Sequence, residues 1–272
     1  MRQIPRLFIG ERLEAGALVE LAETHAHYLA TVLRLDRGAE LRLLDDVTGE
    51  WAAKVADVGR RRISVRGISV RVGGMIRGRE TVPDLWLLTA PIRAERFEWI
   101  VEKATELGVR RIVPVLTARV NHGRLKPERL RTHMVEAAEQ CGRTALPELA
   151  DAVKLEALLA GWDAGRTLLF ADEEGGADMA ALKPTCPAAI LIGPEGGFSG
   201  DERAAILALS ATQRLGLGSR ILRADTAVVA AIAQFQLIGD MALPASPAAG
   251  GALSDTRFPA GADFAARLER EA

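Results

Sequence analysis

The chain has few cysteines, few aromatic residues and no long apolar run. Its two cysteines, Cys141 and Cys186, are too few and too far apart in 272 residues for a disulfide framework or a cysteine metal clip. A reducing compartment fits this usage best. No apolar stretch reaches the length of a membrane span, and charges interrupt the first twelve residues, which therefore do not predict a signal peptide. We expect a soluble, cytoplasmic protein with no membrane partner.

Several well-known catalytic motifs are also missing. The sequence contains no phosphate-binding P-loop, no H-E-x-x-H, no G-x-S-x-G and no C-x-x-C, and Gly216-Leu217-Gly218 lacks the third glycine of a dinucleotide fingerprint. His25 and His27 have no third ligand nearby, so no metal is expected. These absences argue against Rossmann dehydrogenases, P-loop enzymes and hydrolases.

Net charge is close to neutral, at −1, but the positive charge is clustered. Residues 59–79 contain seven arginines and no acid, and residues 110–133 contain seven Lys or Arg against one Glu. Such clusters are the electrostatic footprint of a polyanion partner. They are equally compatible with a solvated surface whose charge is balanced elsewhere.

Periodicity divides the chain into two regions. Short β-prone runs between residues 6 and 68, with one helical stretch from His25 to Leu35, predict a small β-barrel domain over residues 1–72. Glycines from Gly73 to Gly78 predict a linker over residues 73–82. Apolar strands are predicted at 84–90, 109–117, 167–171 and 188–192, and Gly108 and Gly142 are predicted to end the first two helices between them. This strand–helix alternation over residues 83–242 predicts an α/β domain with a mostly parallel sheet covered by helices. Residues 243–272, rich in Ala, Pro, Gly and Ser, predict a flexible tail.

Two glycine-bearing segments are candidates for a ligand site. In the first, an apolar strand at 188–192 runs into Gly193-Pro194-Glu195-Gly196-Gly197, and Ser199 with Glu202 forms a capping box for the next helix. Loops at the carboxyl ends of parallel strands are where open α/β sheets bind ligands, although the turn chemistry alone favours a tight strand-to-helix turn. In the second, at 214–226, Arg223 precedes Asp225, a good N-cap for a helix over 227–241. A cation beside a helix N-terminus favours an anion, whereas a surface ion pair would also account for Arg223.

Taken together, these segments resemble the RsmE family of SPOUT-class methyltransferases, in order and over residues 1–242. The islands that carry the resemblance are PRLF at 5–8, HYL at 27–29, KATELGV at 103–109, EQCGR at 139–143, IGPEGGF at 192–198 and LGSRILRADTA at 217–227. The last two, at this spacing, are the most specific.

The resemblance implies a deep trefoil knot in the parallel sheet, a PUA-like N-terminal barrel that grips RNA, and a homodimer. It implies S-adenosylmethionine (SAM) as cofactor and methylation of a uridine N3 in 16S (small-subunit) ribosomal RNA, as free RNA or within the assembled small ribosomal subunit. The implied cofactor contacts are Thr89, Ile192, Gly193, Pro194, Glu195, Gly196, Gly197, Leu217, Gly218, Ile221, Leu222, Arg223 and Thr226.

We also expect catalytic and RNA-binding roles for several charged residues. We assign Arg223 or Arg119 to stabilising negative charge on the uracil oxygens. Glu195 is a candidate for proton removal or for the cofactor amine, with shaping of its loop as the alternative. RNA contacts are assigned to Arg6, Arg34, Arg60, Arg61, Arg62, Arg119 and Arg143.

The sequence departs from the family pattern at a few positions. Asp225 replaces the usual Glu, which puts any longer-reach contact in question, Glu102 stands where Gln is common, and Arg93-Ala94-Glu95 replaces a Lys-Gly-Asp-like turn. Two alternatives remain open: a non-catalytic RNA-binding or ribosome-assembly factor, and a SPOUT methyltransferase acting on another RNA nucleotide.

Overall fold

The computed structural model describes residues 4–60, 65–120 and 125–238. The predicted tail at 243–272 lies outside these residues. Within them, a mainly antiparallel N-terminal sheet is followed by a parallel sheet covered by helices.

The N-terminal sheet is the predicted small β domain. Its strands are β1 (Arg6–Phe8), β2 (Leu18–Glu20), β3 (Glu40–Asp45), β4 (Gly49–Arg60) and β5 (Val65–Gly78), in the order β1-β3-β4-β5-β2. Only the β1–β3 pair is parallel among the pairs of this sheet in the described residues. The predicted helical stretch is a short helix, α1 (Glu23–His27), continued by a π-helical turn at Tyr28–Val32. Alternate strand residues such as Leu41, Leu43 and Val70 are buried against Leu29 of that turn.

The predicted linker is wrong over residues 73–78, which form the second half of β5. Met75 pairs with Trp51 and Gly78 with Gly49 of β4, with register shifts between them. Gly73 lies so close to β4 that a Cβ there would be 3.1 Å from the carbonyl oxygen of Ala52. The glycines therefore serve an irregular but paired strand, a common use of glycine inside a strand.

The second sheet is parallel throughout the described residues. Its strands are β6 (Leu85–Thr89), β7 (Arg111–Leu116), β8 (Glu148–Leu149), β9 (Val153–Lys154), β10 (Thr167–Ala171), β11 (Ala188–Ile192) and β12 (Thr212–Leu215). The order is β12-β10-β11-β6-β7-β8, with β9 also paired to β7. Because β10 pairs in parallel with both β11 and β12, the carboxyl ends of these three strands meet at one edge.

Helices cover both faces of this sheet, which explains why β6, β10 and β11 are continuous apolar runs. The helices are α2 (Ala94–Glu106), α3 (Pro127–Cys141), α4 (Leu155–Ala160), α5 (Met179–Leu182), α6 (Gly200–Ala208) and α7 (Ala224–Ile238). Leu87 and Ile190 pack in a cluster with residues of α2, α3 and α7, whereas Leu88 and Leu191 pack in one with residues of α4 and α6. The predicted α/β architecture is confirmed, and the trefoil knot stays a prediction.

Helix ends follow the sequence signals with one exception. Gly108 and Gly142, just beyond α2 and α3, have φ values of 75° and 79°, the left-handed conformation that glycine adopts freely. Asp225 was predicted as the N-cap of α7, but the helix begins at Ala224, so Asp225 lies in its first turn. Its carboxylate accepts the Thr226 amide at 2.8 Å and pairs with Arg96 of α2 at 2.8 Å. The shorter acid thus still reaches a neighbouring helix.

Polar contacts join the N-terminal sheet to the end of α3. Glu139 accepts the amide of Phe8 at 2.7 Å, and Arg77 donates to the carbonyl of Gly142. Beside this junction the buried carboxylate of Glu50 accepts hydrogen bonds from Arg6 at 3.3 Å, Arg42 at 2.9 Å and Arg77 at 2.6 Å. Burial raises the pKa of Glu50, but these bonds outweigh it and hold the pKa below its ordinary value.

Candidate active site

A pocket of about 410 Å³ opens at the carboxyl edge of β10, β11 and β12. Three loops line it, at 171–175, 192–200 and 215–222, together with Arg119 from the turn after β7. Ligand pockets of α/β sheets form at this edge, and their volumes are typically about 300–1,000 Å³. Both glycine segments singled out in the sequence therefore meet at one cavity.

The 193–199 loop is shaped by glycines and closed by a helix cap. A Cβ at Gly193 would lie 2.7 Å from the Phe198 ring, and Gly197 has φ +66°. Phe198 packs edge-on against Phe170 of β10, with ring centroids 5.4 Å apart. The predicted capping box is confirmed: the Glu202 amide donates to Ser199 Oγ at 3.1 Å, and the Ser199 amide donates to Glu202 Oε2 at 2.8 Å.

The 215–222 loop crosses very close to the loop after β10. A Cβ at Gly216 would lie 2.8 Å from the carbonyl oxygen of Gly176, and one at Gly176 would lie 2.6 Å from Arg214 backbone atoms. The Gly216 amide donates to Ala177 at 2.9 Å, and Gly218 has φ +109°. Only glycines permit this crossing, and residues of both loops line the pocket.

A buried carboxylate anchors the loop after β10. Asp172 accepts from Arg203 of α6 at 2.8 Å and from Arg214 of β12 at 2.7 Å. The amide of Glu174 also donates to Asp172, at 3.1 Å. Burial raises the pKa of Asp172, but the hydrogen bond from Arg203 and the other donors outweigh it, so the pKa lies below its ordinary value. Asp172 is therefore a charged anchor in the pocket wall.

Arg119 is held against the glycine loop. Its Nη1 donates to the carbonyl of Gly196 at 3.0 Å, and its side chain is exposed at the pocket edge. The amide of the preceding residue, Ala118, donates to Glu202 Oε1 at 2.6 Å. The cation thus faces the cavity from a turn fixed at two points.

Most of the cofactor residues predicted from the sequence line this pocket. Those that do are Ile192, Gly193, Pro194, Glu195, Gly197, Leu217, Gly218, Ile221 and Leu222. Gly196 lies in the same loop but contributes its carbonyl to Arg119. Thr89 is fully buried at the end of β6 and paired with Ile192, and among the residues that the structure describes its hydroxyl has no hydrogen-bond partner. Arg223 and Thr226 are exposed and lie beside the pocket lining.

Two of the three predicted catalytic residues line the pocket, and the third lies beside it. Arg119 and Glu195 both line the pocket, and Glu195 is exposed to solvent there. Arg223 immediately follows the lining residue Leu222 and precedes α7.

The structure contradicts one predicted RNA contact, because the side chain of Arg143 is buried. Arg143 is only 5% exposed, and its guanidinium donates to the carbonyls of Thr105 and Val109, both at 2.6 Å. Burial lowers its pKa to about 10, which leaves it charged at neutral pH. Arg143 therefore closes the end of α2 and cannot reach a phosphate from this position.

The other predicted RNA contacts have different surroundings. Arg34 and Arg119 are exposed, whereas Arg6 is partly buried by its pair with Glu50. Arg61 and Arg62, and the side chain of Arg60, lie outside the described residues.

Sequence reasoning missed the third loop of the pocket. Glu173, Glu174 and Gly175 line the cavity, and Asp172 fixes them. The signal was available, since glycines at 175–176 follow a predicted apolar strand, as they do at 193–197.

The described ranges contain no metal-binding cluster and no membrane-spanning helix. Among residues 4–60, 65–120 and 125–238, no group of three or more His, Cys, Asp or Glu side chains is placed to hold a metal ion. No helix in these ranges is long and apolar enough to cross a membrane.

Comparisons with known proteins agree with this architecture. Residues 79–236 match the family model described as an RNA methyltransferase domain, and residues 21–66 match that of an RNA methyltransferase PUA domain. The ribosomal RNA small subunit methyltransferase E of Rickettsia conorii is 32% identical over 240 residues, covering 86% of this chain and 96% of that protein. The protein of the same name from Synechocystis is 32% identical over 241 residues, covering 86% of this chain and 77% of that one.

Solved structures show the same fold. A methyltransferase from Legionella pneumophila with bound SAM has a TM-score of 0.77 at 27% identity, covering 87% of this chain and 98% of that one. A ribosomal RNA small subunit methyltransferase E from Neisseria gonorrhoeae, also bound to SAM, has a TM-score of 0.76 at 23% identity over 87% and 98% of the two chains, and supports the fold. Through its matched domains and its relatives, the chain belongs to the RsmE family of RNA methyltransferases.

Proposed function

We propose that this protein is a SAM-dependent methyltransferase that methylates N3 of a uridine in small-subunit ribosomal RNA. The observation that carries the proposal is the pocket itself, in which both glycine segments of the family pattern converge at the carboxyl edge of a parallel sheet. The proposed substrate implies work in the cytoplasm, where ribosomal subunits are assembled.

The residues of the pocket fit this cofactor. At Gly218 a Cβ would meet nothing within 4 Å, so this glycine leaves backbone free to approach a ligand, as the phosphate and nucleoside loops of α/β proteins do. Gly193 and Gly197 instead let the loop pack against Phe198 and Glu173. Ile192 and Leu222 supply apolar walls, and Glu173 and Glu195 supply negative charge toward a cationic ligand. When bound, SAM supplies a methyl group already activated on a positively charged sulfur.

The chain's own residues must then present and ionise the base. Uridine N3 lies on the Watson–Crick edge, so the target has to be unpaired or flipped out before it can enter the pocket. The guanidinium of Arg119, fixed at the pocket edge by Gly196, would stabilise negative charge on the uracil oxygens as N3 loses its proton. Arg223 would add a second cation at the start of α7, and the exposed carboxylate of Glu195 would accept the proton or bind the cofactor amine.

A homodimer is part of the proposal. Large apolar side chains are exposed on α2, on α7 and on the loop before α7: Trp99 at 40%, Leu237 at 85%, Ile238 at 41% and Ile221 at 85%. The two helices pack side by side, with Arg96 paired to Asp225 near their starts and Gln236 donating to Leu107 near their ends. Exposed apolar groups of this size favour a protein partner, and a second copy of the chain is the partner that the family resemblance predicts.

The test is methyl transfer from labelled SAM to small ribosomal subunits that lack the modification, with the product nucleoside identified by mass spectrometry. N3-methyluridine would support cofactor, reaction and substrate class together. Binding of SAM without that product would keep the cofactor and direct the search to another RNA. Absence of SAM binding would favour a non-catalytic RNA-binding protein of the same fold.

A further inference from the structure

One carboxylate outside the pocket joins two of the segments that build it. Glu202, in the first turn of α6, accepts the Ala118 amide on Oε1 at 2.6 Å and the Ser199 amide on Oε2 at 2.8 Å. Ala118 belongs to the turn after β7, 84 residues earlier in the chain, and Ser199 ends the glycine loop after β11. A capping box needs only the second of these contacts.

The contact with Ala118 reaches the pocket through the next residue. Arg119 lines the pocket, and its Nη1 donates to the carbonyl of Gly196 in the loop that Ser199 closes. A Cβ at Gly196 would lie 3.4 Å from the Cβ of Arg119, so the turn and the loop run close together. Glu202 and Gly196 therefore hold the turn from two sides.

The position of the Arg119 turn matters because its guanidinium would act on the base from a distance of a few ångströms. Hydrogen bonds from backbone amides to a carboxylate are charge-assisted, and a helix N-terminus further favours negative charge at Glu202. Helix α6 thus provides a rigid support from which one side chain sets the position of the Arg119 backbone. Displacing a catalytic group by about 1 Å can cost about 100-fold in rate.

We propose that Glu202 is a positioning residue for methyl transfer, which holds the Arg119 turn and the 193–199 loop in register. The role rests on the proposed function, because Arg119 is the group whose action on the base it supports. Glu202 itself does not line the pocket among the residues that the structure describes, so it acts through Arg119.

The variants that test this are Glu202→Ala, Glu202→Gln and the matched control Asp201→Ala. Asp201 is the other carboxylate in the first turn of α6, is exposed, and makes no hydrogen bond to Ala118. Glu202→Ala should lower kcat on small subunits about 10- to 100-fold, a larger factor than the loss of SAM affinity that follows from loosening the 193–199 loop. Glu202→Gln keeps one acceptor oxygen and should recover part of the loss, and Asp201→Ala should match the wild type.

Two readouts separate positioning from general destabilisation. Hydrogen exchange at the Ala118 amide should accelerate in Glu202→Ala and stay at the wild-type rate in Asp201→Ala. In a double-mutant cycle, Glu202→Ala should cost little once Arg119 is already Ala, because the two residues act as one unit. Fully additive losses, or an unchanged Ala118 exchange rate, would overturn the role of Glu202 while leaving the proposed function standing. A wild-type protein that transfers no methyl group would overturn the proposed function, and the role of Glu202 with it.

Discussion

Replacing Arg143 with Ala should destabilise the fold without directly removing an RNA contact. The guanidinium is buried, and it donates to the carbonyls of Thr105 and Val109 at the end of α2, both at 2.6 Å. The Thr105 carbonyl keeps the Gly108 amide as a donor at 3.1 Å, so it loses one hydrogen bond, worth about 0.5–1.5 kcal/mol. The Val109 carbonyl loses its side-chain donor, and leaving a buried polar group unpaired costs about 1–3 kcal/mol, which gives a total of about 1.5–4.5 kcal/mol. For a chain of this size each kcal/mol lowers Tm by about 2–4 °C, which gives a fall of roughly 3–18 °C.

The assay is thermal unfolding together with ribosomal RNA binding measured well below Tm. Arg143→Lys keeps the charge but loses the forked geometry that reaches two carbonyls, and should fall between Ala and wild type. Arg34→Ala is the matched surface control, since Arg34 is exposed, and should leave Tm unchanged while weakening RNA binding. If Arg143→Ala melted within about 2 °C of the wild type and bound RNA weakly, the structural role would be refuted and the RNA contact restored.

Three further outcomes are expected. Asp172→Asn should lower Tm at pH 7, and the difference in Tm from the wild type should narrow as pH falls below the ordinary Asp pKa of 3.8. The reason is that a carboxylate with a depressed folded-state pKa loses its stabilising effect when it is protonated. A Tm difference that does not change with pH would contradict the ion pair with Arg203. Arg223→Ala should reduce kcat far more than SAM affinity, and equal losses would remove it from a role in the reaction. RNA affinity should fall steeply with salt, as expected for phosphate contacts, whereas a flat response would mark the arginine clusters as solvated surface.

Local signals predicted much of the second domain. Strands β10 and β11 are continuous apolar runs buried on both faces, so the sequence placed both at the bounds that the structure has. The glycines after α2 and α3 and the Ser199–Glu202 capping box are equally local, because each depends on residues within one helical turn.

The errors share a dependence on contacts distant in sequence. Residues 73–78 looked like a linker because their glycines are visible in sequence, whereas the β4 partner that makes them a strand lies more than twenty residues away. Arg143 was assigned to RNA by its charge, and only its burial beside α2 shows otherwise. The loop at 172–175 was missed for the same reason. Its anchor Asp172 is held by Arg203 and Arg214, which come close to it only in the complete sheet.

The strand order affects how stable the protein is against unfolding and proteolysis. Loops from three strands, with Gly176 crossing against Gly216, form a pocket that exists only when β10, β11 and β12 are all in register. A partly folded chain has no such pocket, so a cofactor that binds there binds the native state alone. At a free concentration of 100 times Kd such a ligand adds about 2.7 kcal/mol to stability. The supply of cofactor would then set how long the enzyme resists proteolysis as well as how fast it works.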